Sequence, residues 1–263
     1  MPLWVLLFLL TSPLAKSTSP AHKSSLLVDL WDITVMPLSV FLTIMLPTIA
    51  MYLDPSTVSA KDHYTALAFW QLFPIWHYLA HTILSTVGRT LVGPVDGTTQ
   101  GVVTHSAYLS RVRGLYDLVF LGGVMGQLPV LLLALAPDNV LSSAAESFPW
   151  MKPYVTAGVT LSSVYVPLSP FNYPTVDAKS IGSGDLAPLA VHFLHWDLYI
   201  GAGSLCLWAL YVHRTTVKKT SLAVLLAKTA LWFSLGGFAS AVAALLWERD
   251  VQVLESDYDI KKA

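Results

Sequence analysis

Apolar residues in this chain come in long runs, not in the alternation of half-buried strands. The runs cover 31–53, 64–87, 114–136, 152–169, 187–212 and 222–247, each near the ~20 residues with which a helix crosses a hydrocarbon core. Between them lie SPAHKSS, DPSTVSAKDH, GPVDGTTQG and DAKSIGSGD. These read as loops, because irregular backbone in lipid needs water or protein partners. The pattern predicts an all-α fold: a polytopic transmembrane helical bundle of six spans over residues 31–247. An N-terminal apolar segment and linker (1–30) precede it and a polar tail (248–263) follows. The opening MPLWVLLFLLTSPLAKS has the length of a signal-peptide core, yet no Lys or Arg comes before it. It reads as a signal anchor, a short seventh span or what remains of a truncated one.

Composition strengthens the membrane reading. Of 263 residues, 54% are hydrophobic and 12% charged, with a mean hydropathy of +0.60. Soluble proteins carry about 25% charged residues, so a soluble domain of this chain would lack a polar shell. The net charge of −1 and the lack of a basic patch argue against nucleic acid as a partner. The single Cys206 cannot form an internal disulfide. Trp31, Tyr64, Trp150, Tyr154 and Trp247 fall near span ends, as interfacial belts do. Pro37, Pro47, Pro74 and Pro129 should kink their spans. Gly122/Gly123/Gly126, Gly201/Gly203 and Gly236/Gly237 read as seams of close helix contact. Lys and Arg counted over alternate loops lean toward a cytosolic C-terminus, whereas Arg214, Lys218 and Lys219 in one tight loop argue the opposite, so orientation stays open.

Polar groups inside the spans are the chemical candidates, because each costs a few kcal/mol unless it faces protein or water. Asp197 is the deepest. At ~100° per residue its face holds Phe193, Leu194, Gly201, Ser204 and Trp208, a mixture suited to a helix turned into a bundle, while His192, His195 and Tyr199 share another face. Apolar burial favours the neutral carboxyl, a hydrogen-bond donor and a general acid. A structural role is the alternative, with Asp197 bonded to Gln71, Gln127 or a backbone carbonyl. Asp117 lies one turn into the third span. Asp29, Asp32 and Glu248 sit at span ends, where acids are usually just solvated. His77 and His81 stand four apart on one face and could share a metal. Without adjacent His-His pairs the better reading is a polar cavity, and no metal or other cofactor is expected. Phe69, Trp70, Phe73, Trp76, Tyr78, Tyr165, Phe171, Tyr173, Trp196 and Trp208 crowd around these groups, and aromatic faces stabilise cations. The chain has no DDxxD, NDxxD, DxDD, P-loop, GxSxG or GxGxxG, so an acid without phosphate machinery points to protonation chemistry.

The segment FLHWDLYIGAGSLCLW (193–208) resembles an F-L-x-aromatic-D…A…W pattern of fungal integral-membrane meroterpenoid terpene cyclases of the ascochlorin and ascofuranone type. LTIMLPTIAMYL (42–53) and ALAFWQLFPIW (66–76) resemble two further stretches of that family, and the likeness spans about residues 31–212. His195 stands where the family pattern has Gln. Members are longer, so the likeness implies a truncated or divergent start. It implies a helical bundle in the endoplasmic reticulum membrane that cyclises a prenyl chain, often with a terminal epoxide, on an aromatic or polyketide head group. Asp197 would be the acid, Trp70 and Gln71 would bind substrate, and a pathway oxygenase and prenyltransferase would be partners. Around them we expect Trp76, His77, His81, His195 and Trp196 as substrate-binding groups and Asp117 or a histidine as the final proton acceptor. A sterol-isomerase-like membrane enzyme, a small-molecule transporter and a non-catalytic scaffold with Asp197 as helix glue are the competing readings. A transporter would call for more intramembrane charge and an internal repeat.

Overall fold

The structure is a computed structural model that describes residues 28–52, 59–93, 105–148, 158–172, 187–217 and 220–260, together with the isolated positions 5, 7, 11, 152 and 155. The described residues are helical or irregular, with no strand among them. They fall into two compact units, residues 22–118 and residues 119–263 with 1–21, and each is taken by itself.

In the 22–118 unit, α1 (Leu30–Val40) runs through a π-helical turn (Phe41–Met45) into α2 (Leu46–Tyr52). Pro47 explains the turn. Its missing N–H leaves the ladder one donor short, and Leu46 N–H reaches five residues back to Phe41 O. α3 (Ala60–Gln71) starts at Ser59, whose hydroxyl accepts from Asp62 N–H. The expected span 64–87 is broken at Leu72, and α4 (Phe73–Val92) restarts with Pro74 in its first turn, where a proline costs nothing. α1 packs on α4, and α2 on α3. Trp31 closes the first contact. Its indole N–H donates to Gly93 O (3.1 Å), and a Cβ on Gly88 would lie 2.6 Å from its ring. α5 (His105–Leu135) begins in this unit and continues into the other.

The 119–263 unit holds the rest of α5, α6 (Asp138–Ser147), α7 (Leu161–Tyr165), α8 (Ala187–Thr216) and α9 (Leu222–Ile260). The helical run of α9 is not one rod. In a straight helix Lys228 and Glu248 would be ~30 Å apart, yet Nζ and Oε1 meet at 2.9 Å. The chain turns back at Gly236 (φ −143°, ψ 20°) and Gly237 (φ 66°, ψ −164°), the latter a conformation that only glycine adopts without strain. The arms 222–235 and 238–260 therefore pair, and Leu225, Ala241, Val242 and Leu245 bury against Cys206 and Ala209 of α8. Ala209 and Ala241, both without exposed surface, let the backbones come close.

Among the described residues, three helical stretches are long and apolar enough to cross a membrane: Leu30–Ala50, Tyr108–Leu135 and Leu222–Leu254. The third folds back at its glycine pair, a different use from the packing seam expected there. α4 and α8, of 20 and 30 residues, also reach bilayer length. The expected span 152–169 is not a continuous helix. Gly158 has φ 66°, Thr160 is extended and caps the five-residue α7, and Val166 ends it. Conversely, α6 forms between two of the expected spans.

Candidate functional site

The two segments that resemble the cyclase family in the 22–118 unit pack against each other. Trp70 Nε1 donates to Thr48 Oγ1 (3.0 Å), tying the "WQ" helix to the "PT" helix. Beside them an open groove of ≈ 480 Å³ is lined by Leu42, Leu46, Pro47, Ala50, Asp62, Thr65, Ala66 and Phe69. The groove exists because Pro47 bends one wall and Ala50 and Ala66 leave room between the walls. At its rim the Asp62 carboxylate accepts from Ser59 Oγ (2.6 Å). Trp76 stacks on Phe69 at 5.0 Å between centroids, with planes 11° apart, and its N–H donates to Phe69 O. Trp70 leans on Phe73 at 5.6 Å. Gln71 is exposed at the end of α3.

One face of α4 carries His77, His81, Ser85 and Arg89, four residues apart, against α1. Asp32 Oδ1 accepts hydrogen bonds from Ser85 Oγ (2.8 Å) and Arg89 Nη2 (3.1 Å), and His81 Nε2 lies 3.5 Å from the same oxygen. Arg89 also pairs with Asp29 at 3.2 Å. At the other end His77 Nδ1 faces Ser39 Oγ (3.5 Å) and Thr43 Oγ1 (3.4 Å). Exposure is highest at Arg89 (45%) and Asp29 (39%), lower at Asp32 (33%) and His81 (20%), and least at Ser85 (5%), Thr43 (5%) and Ser39 (0%). His77 and His81 are thus brought together, their ring centroids 5.9 Å apart. No metal-ligating cluster occurs among the described residues. Asp117, in the same unit, is exposed and pairs with Arg113 one turn before it (3.6 Å).

In the other unit α8 presents His192, His195, Trp196 and Tyr199 inward, all partly covered, while Phe193, Leu194 and Asp197 are exposed. The two faces are therefore the reverse of the expectation, although Gly201, Ser204 and Trp208 further along are partly covered. No hydrogen bond or ion pair to Asp197 occurs among the described residues. Trp196 Nε1 donates to Leu168 O (2.8 Å) and the Tyr199 hydroxyl donates to Tyr165 O. Gln127 of α5 donates to the Tyr165 hydroxyl (2.6 Å). Phe238 meets Tyr199 edge-on at 5.6 Å and Phe233 at 4.8 Å. This aromatic hub joins α5, α7, α8 and α9.

Asp32 is the residue that sequence reasoning undervalued, taken as an ordinary span-end acid. The four-residue polar stripe His77–His81–Ser85–Arg89 was the available signal that the facing helix needed an acid there.

Long apolar helices, an open groove beside a bent helix pair, and a row of polar groups between two helices define an all-helical protein with helices of membrane-crossing length. The chain belongs to the CtvD domain family, whose model matches residues 1–254. It is 26% identical over 257 residues to terpene cyclase ctvD of Aspergillus terreus (strain NIH 2624 / FGSC A1156), a match over 94% of this chain and 62% of that protein. The chain thus spans less than two thirds of the length of the curated relative. No solved structure matches.

Proposed function

We propose that the chain is a membrane-bound terpene cyclase. It cyclises a prenyl chain, carrying a terminal epoxide on an aromatic or polyketide head group, by protonation without a metal. The observation that carries this reading is the family match over residues 1–254, to which the groove between the two family-like segments adds a place for an isoprenoid. A prenylated substrate dissolves in the bilayer and reaches such a groove sideways. The Phe69–Trp76 stack at the groove's wall offers a π-face to a carbocation, and Gln71 is an amide able to hold the head-group oxygen. In the other unit, taken by itself, Asp197 is the acid we assign, on the family-like segment 193–208 alone, although its side chain is exposed on the apolar α8. Exclusion of water by lipid and apolar walls protects the cation from early capture. The enzyme works in the endoplasmic reticulum membrane beside the prenyltransferase and oxygenase that make its substrate.

The test is conversion of linear prenylated epoxides by membranes expressing the chain, read by mass spectrometry as an isomer of unchanged mass. Wild type forms the cyclised isomer and Asp197→Asn loses it by about 10²-fold or more, at equal protein level. An Asn variant of normal rate removes Asp197 from the role of acid. A wild-type protein that converts no such epoxide overturns the cyclase reading.

A further inference from the structure

The polar row between α1 and α4 is longer than helix packing requires. From His77 to Arg89 it climbs twelve residues, ~18 Å along the helix, more than half of a ~30 Å hydrocarbon core. Polar groups within a membrane span are costly unless they pair with one another or face protein or water.

The hydrogen positions follow from counting donors. Thr43 Oγ1 gives its hydrogen to Ser39 O (2.7 Å), and Ser39 Oγ gives its own to Met36 O (3.0 Å). Each hydroxyl has one hydrogen, so neither can donate to His77. With the hydroxyl hydrogens so assigned, His77 Nδ1 is the donor, shared between the two oxygens, and the lone pair is assigned to Nε2. For His81 the order is opposite. Its Nε2 faces the Asp32 carboxylate at 3.5 Å, an acceptor with no hydrogen, so Nε2 carries the proton. That leaves the lone pair on Nδ1, which is buried and without a partner. It is the one such buried side-chain nitrogen or oxygen among the described residues of this unit. The two imidazoles are thus set in opposite tautomers, with a basic nitrogen on each and a carboxylate behind the second.

We propose that His77, His81 and Asp32 form a proton relay that takes up the proton ending the cyclisation and carries it to the half-exposed mouth at Asp29 and Arg89. This rests on the cyclase reading above. The lone pair of His77 Nε2 takes a proton from the carbon next to the terminal cation, and the electron pair of the broken C–H bond becomes the new C=C bond. The rings stand 5.9 Å apart between centroids and His81 Nδ1 has no direct partner, so the imidazolium passes its Nε2 proton to His81 Nδ1 through one bridging water. His81 then passes its own Nε2 proton to Asp32, which loses it to water at the mouth. Proton in and proton out balance, and no oxidant or reductant is needed. Ser39, Thr43, Ser85 and Arg89 are positioning residues.

Two measurements test the relay. In ¹⁵N-histidine NMR of the purified full chain in micelles, His77 is expected as the Nδ1–H tautomer and His81 as Nε2–H, with Asp32→Asn changing the signals of both. The same tautomer on both rings, or a His77 unmoved by Asp32→Asn, overturns the relay whether or not the protein turns over. In membranes, His77→Ala is expected to lose about 10²-fold in kcat with KM within about twofold, to shift product from the proton-loss alkene to the water-captured alcohol, and to regain part of its rate with added imidazole. His81→Gln, which keeps an N–H toward Asp32 and so guards against simple misfolding, is expected to show the same split. Variants that keep wild-type kcat and product ratio overturn the relay. A wild type that forms no cyclised product overturns the cyclase reading and the relay with it, whereas a cyclising wild type whose tautomers or variants fail as above overturns the relay alone.

Discussion

The two units join their helices by opposite means. In the 22–118 unit α1 meets α4 through acids, hydroxyls, imidazoles and a guanidinium. In the 119–263 unit the contacts of α5, α8 and α9 run through Gly123, Gly236, Ala209, Ala241 and the aromatic hub, with charge among the described residues at Lys228, Glu248 and His213 and at the Arg249–Asp250 pair. Lipid tails are as apolar as leucine, so neither pair is driven together by hydrophobicity alone inside a bilayer, and close packing is the economical solution. The glycine seam adopts it. The polar row does not, and it leaves an imidazole nitrogen unsatisfied. Packing accounts for the close approaches of the C-terminal seam, although Ser240 Oγ and His213 Nδ1 are left without hydrogen-bond partners there too. What sets the α1–α4 row apart is its length and its charged end at Asp29, Asp32 and Arg89.

Substitutions at the close approaches separate the two interfaces most sharply. A Cβ on Gly123 would stand 2.3 Å from Ser240 Oγ and 2.6 Å from Gly236 O. The hydroxyl can rotate away, but the carbonyl belongs to a backbone turn that cannot. Gly123→Ala is expected to destabilise the detergent-solubilised protein by about 3 kcal/mol, read as a lowered unfolding midpoint or loss of the monodisperse peak. An unchanged midpoint would show that the seam is not closed at Gly123. In the other unit a Cβ on Gly88 would press on the Trp31 ring at 2.6 Å. That obstacle is a side chain, held by its N–H bond to Gly93 O and by neighbours able to shift. Gly88→Ala is expected to cost about 1–2 kcal/mol and to change Trp31 fluorescence as the indole moves. A cost equal to that of Gly123→Ala would mean that the α1–α4 contact is as rigid as the glycine seam.

What sequence could reveal follows the same division. Helical class and most helix positions were legible because long apolar runs have one stable form in lipid. The face of α8 was readable in principle, since His192, His195, Trp196, Tyr199, Gly203 and Cys206 recur at three and four residues. Asp197 drew attention to the other face because a lone acid stands out more than a stripe. The turn at Gly236–Gly237 was invisible, because two glycines in an apolar run fit a seam as well as a reversal, and only contacts twenty residues apart distinguish them. The π-helical turn was half legible, as a kink at Pro47. The role of Asp32 depends on which helix pairs with α1, a non-local fact that periodicity does not contain.

The smallest expected effect tests whether charge matters in the C-terminal hairpin. Lys228 and Glu248 join its arms at 2.9 Å, but their side chains are 46% and 37% exposed. Exposed pairs contribute about 0–1 kcal/mol, and less at high salt. The turn itself is set by Gly237, and the arms are held by Leu225, Ala241, Val242 and Leu245, which are nearly without exposed surface. Lys228→Met, which keeps the stem and removes the charge, is therefore expected to lower the unfolding midpoint by no more than about 1 kcal/mol equivalent and to leave the distance between spin labels at exposed positions 231 and 239 unchanged. His213 would still face Glu248 at 3.3 Å, fully buried, so the acid would keep a partner. If the arms separated in Lys228→Met, charge would be holding the hairpin much as it lines the α1–α4 row, and the contrast between a packed interface and a polar one would be lost.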